Sequence, residues 1–220
     1  GQSLVTGAVR FEDGAGGTPP RYYNTIYVID DEGQIIGFAD KAHLVPFGEY
    51  LPFEALLRRY GLTPVAQTFG GFSAADRRGM LSLPGGLGAV PLICYEAIFP
   101  DLSTVSEARG SLLLNLTNDA WYGMTPGPYQ HLRQAQLRAV ETRLPLVRAA
   151  NNGISAVVDT GGRIRGSLPL GEAGVFDVAL PSPSDQFSLI RIRRFNFGLI
   201  IVIMVLMALV ARKSKKQRFD

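Results

Sequence analysis

Several residue types are scarce in this 220-residue sequence, and each scarcity removes a class of explanation. A single cysteine, Cys94, excludes an internal disulfide framework. The two histidines, His43 and His131, form no cluster with metal-ligand spacing, so a structural zinc site is excluded and no metal is expected. Nucleotide and serine-hydrolase signatures are missing as well. There is no P-loop, no G-x-G-x-x-G after a strand and no G-x-S-x-G elbow, and the nearest candidates, Gly85 to Gly88 and Gly71 to Ala75, depart from those patterns. No cofactor is therefore expected. Lysine is rare too: Lys41 is the only one before Lys213, among thirteen arginines in 1–190. The sequence opens at Gly1, with neither an initiator methionine nor a signal peptide, so a longer parent chain is expected.

What is abundant is apolar side chain. Hydrophobic residues make up 46% and charged residues 19%, more apolar than an average soluble domain, and the length suffices for a sizeable core. The net charge of +3 would ordinarily raise nucleic acid as a partner, but eight of the 22 basic residues fall after position 190. Residues 1–190 keep fourteen basic and eighteen acidic residues, formally −4, so no nucleic-acid partner is expected. The late charges flank a run from Phe195 to Ala211 in which only Asn196 is strongly polar. As a helix this run reaches about 25 Å, near the ~30 Å of a hydrocarbon core with snorkelling arginines at its start. A transmembrane helix over 195–211 is expected, after a linker and basic flank at 187–194 and before a basic tail at 212–220. Five basic residues after the run against three before it place the C-terminus in the cytoplasm and residues 1–190 outside.

The body, 1–186, reads as alternating strands and helices, the pattern of an α/β fold with a central sheet. Strands are predicted at Leu4 to Val9, Tyr23 to Ile29 and Gln34 to Ala39, the last two joined by an Asp-Asp-Glu-Gly turn. Short, continuously apolar runs at Ala89 to Cys94 and Ser111 to Leu116 suit strands buried on both faces. Helices are expected at Pro52 to Tyr60 and Tyr129 to Arg143, and closing strands at Ile154 to Asp159, Arg163 to Arg165 and Gly174 to Leu180.

Chemistry is sought first at Leu92-Ile93-Cys94-Tyr95-Glu96. A cysteine ending a buried strand is by default a small core hydrophobe. Strand ends, however, are where α/β folds present reactive groups, and Glu96 two residues on falls on the same side if the chain stays extended. A thiol nucleophile needs a base or a cation that favours thiolate. Neither histidine is local, so the scarce Lys41, in the Pro-, Gly- and aromatic-rich loop DKAHLVPFGEYLP, is the better partner, although a solvated surface lysine is the ordinary expectation.

DKAHLVPFGEYLP around Lys41, LICYEAIFPD around Cys94, LLLNLTNDAWYG from Leu112 and HLRQAQLRAVETRLPLVRAANNGISAVVD from His131 occur in this order over nearly all of 1–190. Together they resemble the nitrilase (C-N hydrolase) superfamily, and within it the C-terminal portion of the apolipoprotein N-acyltransferases. The resemblance implies an αββα sandwich, incomplete at its N-terminus and followed by one transmembrane helix, on the periplasmic face of a bacterial inner membrane. It implies transfer of an acyl chain from a phospholipid donor, through a cysteine thioester, to the amine of a diacylglyceryl-cysteine apolipoprotein acceptor. Cys94 then matches the nucleophile, Lys41 the cation at the oxyanion and Glu49 a supporting carboxylate, while Tyr95 and Glu96 match the pair beside the nucleophile. Asn118, Trp121 and Glu141 lie in matching blocks as supporting or substrate-binding residues. The family's general-base glutamate precedes the TGA strand, outside this sequence, so these 220 residues alone are expected not to turn over.

Plainer roles stay open for most of these residues. Glu49 and Glu96 could only position Lys41 or cap a turn, Asn118 and Asp119 could only form a turn, and Glu141 could only pair with Arg138 or Arg143. Trp121, Tyr122 and Met124 suit either an apolar lip for acyl chains or an ordinary aromatic cluster. The Asn115-Leu116-Thr117 sequon falls in a buried strand and has no expected meaning. The alternatives for function are a C-N hydrolase of a small amide and an inactive fragment or scaffold.

Overall fold

The computed structural model describes residues 1–53, 59–60, 71–103, 110–184, 197–207 and 209. Among the described residues, nine strands run in chain order: β1 (Leu4–Glu12), β2 (Arg21–Ile29), β3 (Ile35–Asp40), β4 (Leu81–Leu83), β5 (Leu87–Ile93), β6 (Leu112–Asn118), β7 (Leu146–Asn151), β8 (Ser155–Val158) and β9 (Ile164–Leu168). One long helix, α1 (Gly127–Thr142), lies between β6 and β7. Strands β1–β2–β3 form an antiparallel meander, and β4 to β9 form a six-stranded sheet in chain order whose central strands β5, β6 and β7 are parallel.

The period-2 alternation of the strands decides which side chain joins which layer. On β5, Val90 and Leu92 join Leu113, Leu146, Ala156 and the buried stripe Leu132, Ala135 and Ala139 of α1. The intervening Ala89 and Ile93 join Leu112, Leu114 and the meander residues Ile26 and Val28. The layers therefore stack as helix, sheet, sheet. A helix layer on the outer face of the meander, the fourth layer of the expected αββα sandwich, is not among the described residues, and that face leaves Phe38 exposed against Tyr27.

Most expected elements are present with extended bounds. Two strands were not expected: β4, and β7, whose short apolar stretch is interrupted by Arg148. The expected strand at 174–180 is not formed. Those residues are irregular and largely exposed, with Val175 at 94%, and they pair with no strand among the described residues. Pro181 to Ser184 is irregular, with the Ser184 N–H donating to the Arg143 carbonyl. Most of the helix expected at 52–60 lies outside the described residues, as do 187–194 and 212–220. Of the span expected at 195–211, residues 197–207 and 209 are helical and the ends lie outside the described residues. Among the described residues, no helix is long and apolar enough to cross a membrane.

Candidate active site

The parallel strands β5 and β6 end side by side, and their C-terminal ends carry Cys94 and Asn118. Immediately after β5 the chain turns into a short 3-10 helix, Cys94–Ile98. The turn is made at Cys94 itself, which adopts a left-handed φ of 53° and is partly exposed. A non-glycine residue in that region costs about 1–2 kcal/mol, so the surroundings must hold it there.

Lys41 enters from the end of β3. Alternation points Asp40 outward to Arg10, whose Nη2 lies 2.8 Å away, and Lys41 inward, where it is 1% exposed. A buried ammonium needs a counter-charge, and Glu49 supplies it with Oε2 at 2.7 Å and Oε1 at 2.8 Å from Nζ. Glu49 is held in turn by the Val45 N–H at 2.8 Å and by Asn24 Nδ2 at 3.0 Å. The loop between Lys41 and Glu49 thus closes on its own carboxylate. Lys41 Nζ also stands 5.3 Å from the centre of the Tyr95 ring.

Glu96 joins the lysine loop to the cysteine strand. Its Oε1 accepts from the N–H groups of Ala42 at 3.0 Å and His43 at 2.9 Å, and its Oε2 accepts from Ile93 N–H at 2.7 Å. These are the residues directly after Lys41 and directly before Cys94. Tyr95 reinforces the same junction by donating its hydroxyl to the Leu44 carbonyl at 2.7 Å. Burial, with added repulsion from Tyr50 and Glu49, pushes the Tyr95 phenol up to about 12, so it remains a neutral donor.

Behind Cys94 lies a second cluster that sequence reasoning did not assemble. On the α1 side of the large sheet, β6 carries Leu113, then Asn115 and Thr117, and β7 carries Leu146, then Arg148. Asn115 and Arg148 are register partners, so their side chains meet, and Arg148 Nη1 donates to Asn115 Oδ1. Arg148 Nη2 donates to Asp119 Oδ2 at 2.5 Å, while Asp119 Oδ1 accepts from Thr117 and lies 2.9 Å from His131 Nδ1 on α1. The other face of this cluster is Cys94: Asn115 Nδ2 and His131 Nε2 both stand 3.2 Å from its carbonyl oxygen. Asn115, Asp119, His131 and Arg148 are all buried. Burial opposes the charge on Asp119, but the His131 hydrogen bond and the Arg148 charge outweigh it and hold the carboxyl below its ordinary value. Burial likewise lowers Arg148, opposed by Asp119. Gly153 is required here, because a Cβ on it would lie 2.5 Å from Asp119 Oδ2.

The expected supporting residues divide. Asn118 accepts from the Ala120 N–H at 3.1 Å, the turn-capping role. Trp121 is 84% exposed on that turn. Glu141 pairs with Arg138 at 3.1 Å one helical turn away, the plain salt bridge held open for it. His131, set aside as distant in sequence, reaches the Cys94 backbone. A cavity of about 470 Å³ lined by Arg10, Tyr23, Asp40, Arg78 and Glu96 lies to one side, and neither Cys94, Lys41 nor Glu49 lines it. Among the described residues, no group of His, Cys, Asp and Glu could hold a metal ion.

A partly exposed cysteine in a left-handed bend, a buried lysine paired with a half-buried glutamate and a carboxylate tying the two loops together are joined by a match of the carbon-nitrogen hydrolase family to residues 1–186. The chain belongs to that family. Within it, the apolipoprotein N-acyltransferase of Brucella melitensis is 62% identical over 187 residues, 85% of this chain and 35% of the relative. That of Rhizobium etli is 56% identical over 213 residues, 97% of this chain and 40% of the relative. The chain thus spans well under half the length of these relatives. Among solved structures, an amidase from Nesterenkonia sp. AN1 aligns with a TM-score of 0.52 at 23% identity, covering 76% of this chain and 57% of the amidase. At that identity the likeness is one of fold, and it makes this a carbon-nitrogen hydrolase fold of nitrilase type.

Proposed function

We propose that this chain carries the acyl-transfer centre of a lipoprotein N-acyltransferase, with Cys94 as nucleophile, Lys41 and Glu49 at the reacting carbonyl, and Glu96 and Tyr95 holding the two loops together. The observation that carries the reading is the Glu96 clamp: one carboxylate binds the backbone on either side of the chemistry, at Ala42 and His43 after Lys41 and at Ile93 before Cys94. Identity above 55% to relatives named apolipoprotein N-acyltransferase supports the substrate class.

In the first half-reaction the Cys94 thiol gives its proton to a base, and its sulfur attacks the ester carbonyl of a phospholipid. The resulting oxyanion is met by the Lys41 ammonium, which Glu49 keeps in place. Collapse breaks the acyl C–O bond. The lysophospholipid leaves with the proton, and Cys94 holds the acyl group as a thioester. In the second half-reaction the N-terminal amine of a diacylglyceryl-cysteine apolipoprotein attacks that thioester, loses a proton and displaces the Cys94 thiolate. Glu49 is engaged by Lys41, Asn24 and Val45, and Glu96 by three backbone N–H groups. On this reading neither is the base, so the thiol proton goes to another group. Trp121 and Met124 after β6, with Phe47 and Phe53 after Lys41, are exposed apolar side chains and form a lip for acyl chains at a membrane surface. The 195–211 segment anchors the domain on the outer face of the inner membrane, with the C-terminus in the cytoplasm.

The test supplies phospholipid to the complete gene product and follows the fate of the acyl chain. Acylation of Cys94 that a Cys94→Ala variant lacks, followed by transfer to a diacylglyceryl-cysteine peptide, is the expected result. Ammonia release from small amides without acylation by phospholipid would replace the reading with a C-N hydrolase.

A further inference from the structure

The backbone carbonyl of Cys94 is the point where the two buried clusters meet. The β5–β6 ladder ends at the Ile93–Leu116 pair, so the Cys94 carbonyl has left the sheet hydrogen bonding and needs other donors. It receives two, from Asn115 Nδ2 and His131 Nε2, each at 3.2 Å. A carbonyl oxygen only accepts, so the His131 Nε2 that faces it carries a proton. The ring is fixed from behind by Asp119 Oδ1, 2.9 Å from Nδ1, and Asn115 is fixed by Arg148 and by its bond to the Leu92 carbonyl at 2.7 Å. Every member is buried, so water does not compete for these bonds. What they hold is a residue with a left-handed φ of 53°, the conformation that turns the cysteine out of the strand.

We propose that His131 is a positioning residue for the nucleophile: its Nε2–H, together with Asn115, clamps the Cys94 carbonyl and keeps the cysteine in its strained bend at the end of β5. His131 reaches the carbonyl oxygen rather than the thiol, so its part is orientation and not proton abstraction. Relaxation of Cys94 toward an extended φ would swing Sγ away from the reacting carbonyl, and displacement of about 1 Å from an attack geometry costs on the order of 10²-fold in rate. This inference rests on Cys94 being the nucleophile.

The experiment measures Cys94 acylation by phospholipid in the complete gene product for wild type, His131→Phe and His131→Gln, per folded molecule and over a range of phospholipid concentrations. Phenylalanine keeps the ring volume and removes the donor, whereas the glutamine amide restores a donor near the Nε2 position. The maximal acylation rate of H131F is expected to fall about 10²-fold with little change in the half-saturating phospholipid concentration, and H131Q to recover to within about tenfold of wild type. An H131F rate equal to wild type, or equal losses in H131F and H131Q, overturns the proposal. If H131F fails to fold, Asn115→Asp serves instead. It removes the second donor and keeps the acceptor for Arg148; the same loss is expected, and a wild-type rate overturns the proposal. Failure of the nucleophile reading looks different: wild-type protein would show no Cys94 acylation at all.

Discussion

The two clusters that flank Cys94 are built on opposite plans. The front cluster, Lys41, Glu49, Tyr95 and Glu96, is made by loops: its carboxylates bind backbone N–H groups of neighbouring turns, and Glu49 is still partly exposed. The rear cluster, Asn115, Thr117, Asp119, His131 and Arg148, is made by regular elements: side chains on adjacent strands and a helix bind one another in a sealed interior. A loop-built cluster can sit beside substrate and present charge to it. A strand-built cluster is rigid and out of reach, suited to holding a backbone still. Under the proposed function, the division of labour is chemistry in front and geometry behind.

That comparison is broken most forcefully at Arg148. Removing one partner of a buried ion pair leaves an uncompensated charge, so Arg148→Met, which strands Asp119, is expected to destabilise the fold by about 3–5 kcal/mol, read as a lowered midpoint of thermal unfolding. Lys41→Met probes the other side. It removes the charge proposed to meet the oxyanion, and the acylation rate is expected to drop about 10²–10³-fold, or ~2.7–4 kcal/mol of barrier, in stopped-time acylation assays. Glu96→Gln should show both faces of the front cluster, because an amide N–H₂ cannot accept the bonds that a carboxylate oxygen accepts. A stability loss of about 1–3 kcal/mol in denaturant unfolding is expected, accompanied by slower acylation. The smallest effect is expected at Trp121, 84% exposed: Trp121→Ala should leave stability within ~0.5 kcal/mol while weakening use of long-chain phospholipid in a comparison of acyl-chain lengths. A large loss of stability there would place the tryptophan in the core and remove the lip.

The same contrast explains what could be read from residues alone. The front cluster announces itself through scarcity, one cysteine and one body lysine, and through a loop whose prolines, glycine and aromatics mark a shaped segment. The rear cluster has no such mark. Asn115 and Arg148 are 33 positions apart, and each is a polar interruption in an apolar strand until the β6–β7 register makes them neighbours. An alternation of Asn115, Thr117 and Asp119 at the end of an otherwise leucine-rich run is the available signal, but Asp119 also belongs to the Asn118-Asp119 pair that spells an ordinary turn. Strand identity followed similar lines. The meander β1–β3 and the apolar runs β5 and β6 were legible from alternation and hydrophobicity, whereas β7 was obscured by its buried arginine. The 174–180 stretch has strand composition and no partner edge, which only the folded arrangement decides.

The central claim, that Cys94 carries the acyl group, is tested most directly by the mass of the Cys94 peptide after the complete gene product has been incubated with a phospholipid of defined acyl chains and proteolysed. The account predicts a mass increase of one acyl group on Cys94, labile to hydroxylamine and lost when a diacylglyceryl-cysteine peptide is added. An acyl group on any other residue, or transfer to the peptide with Cys94 unmodified throughout, would contradict it.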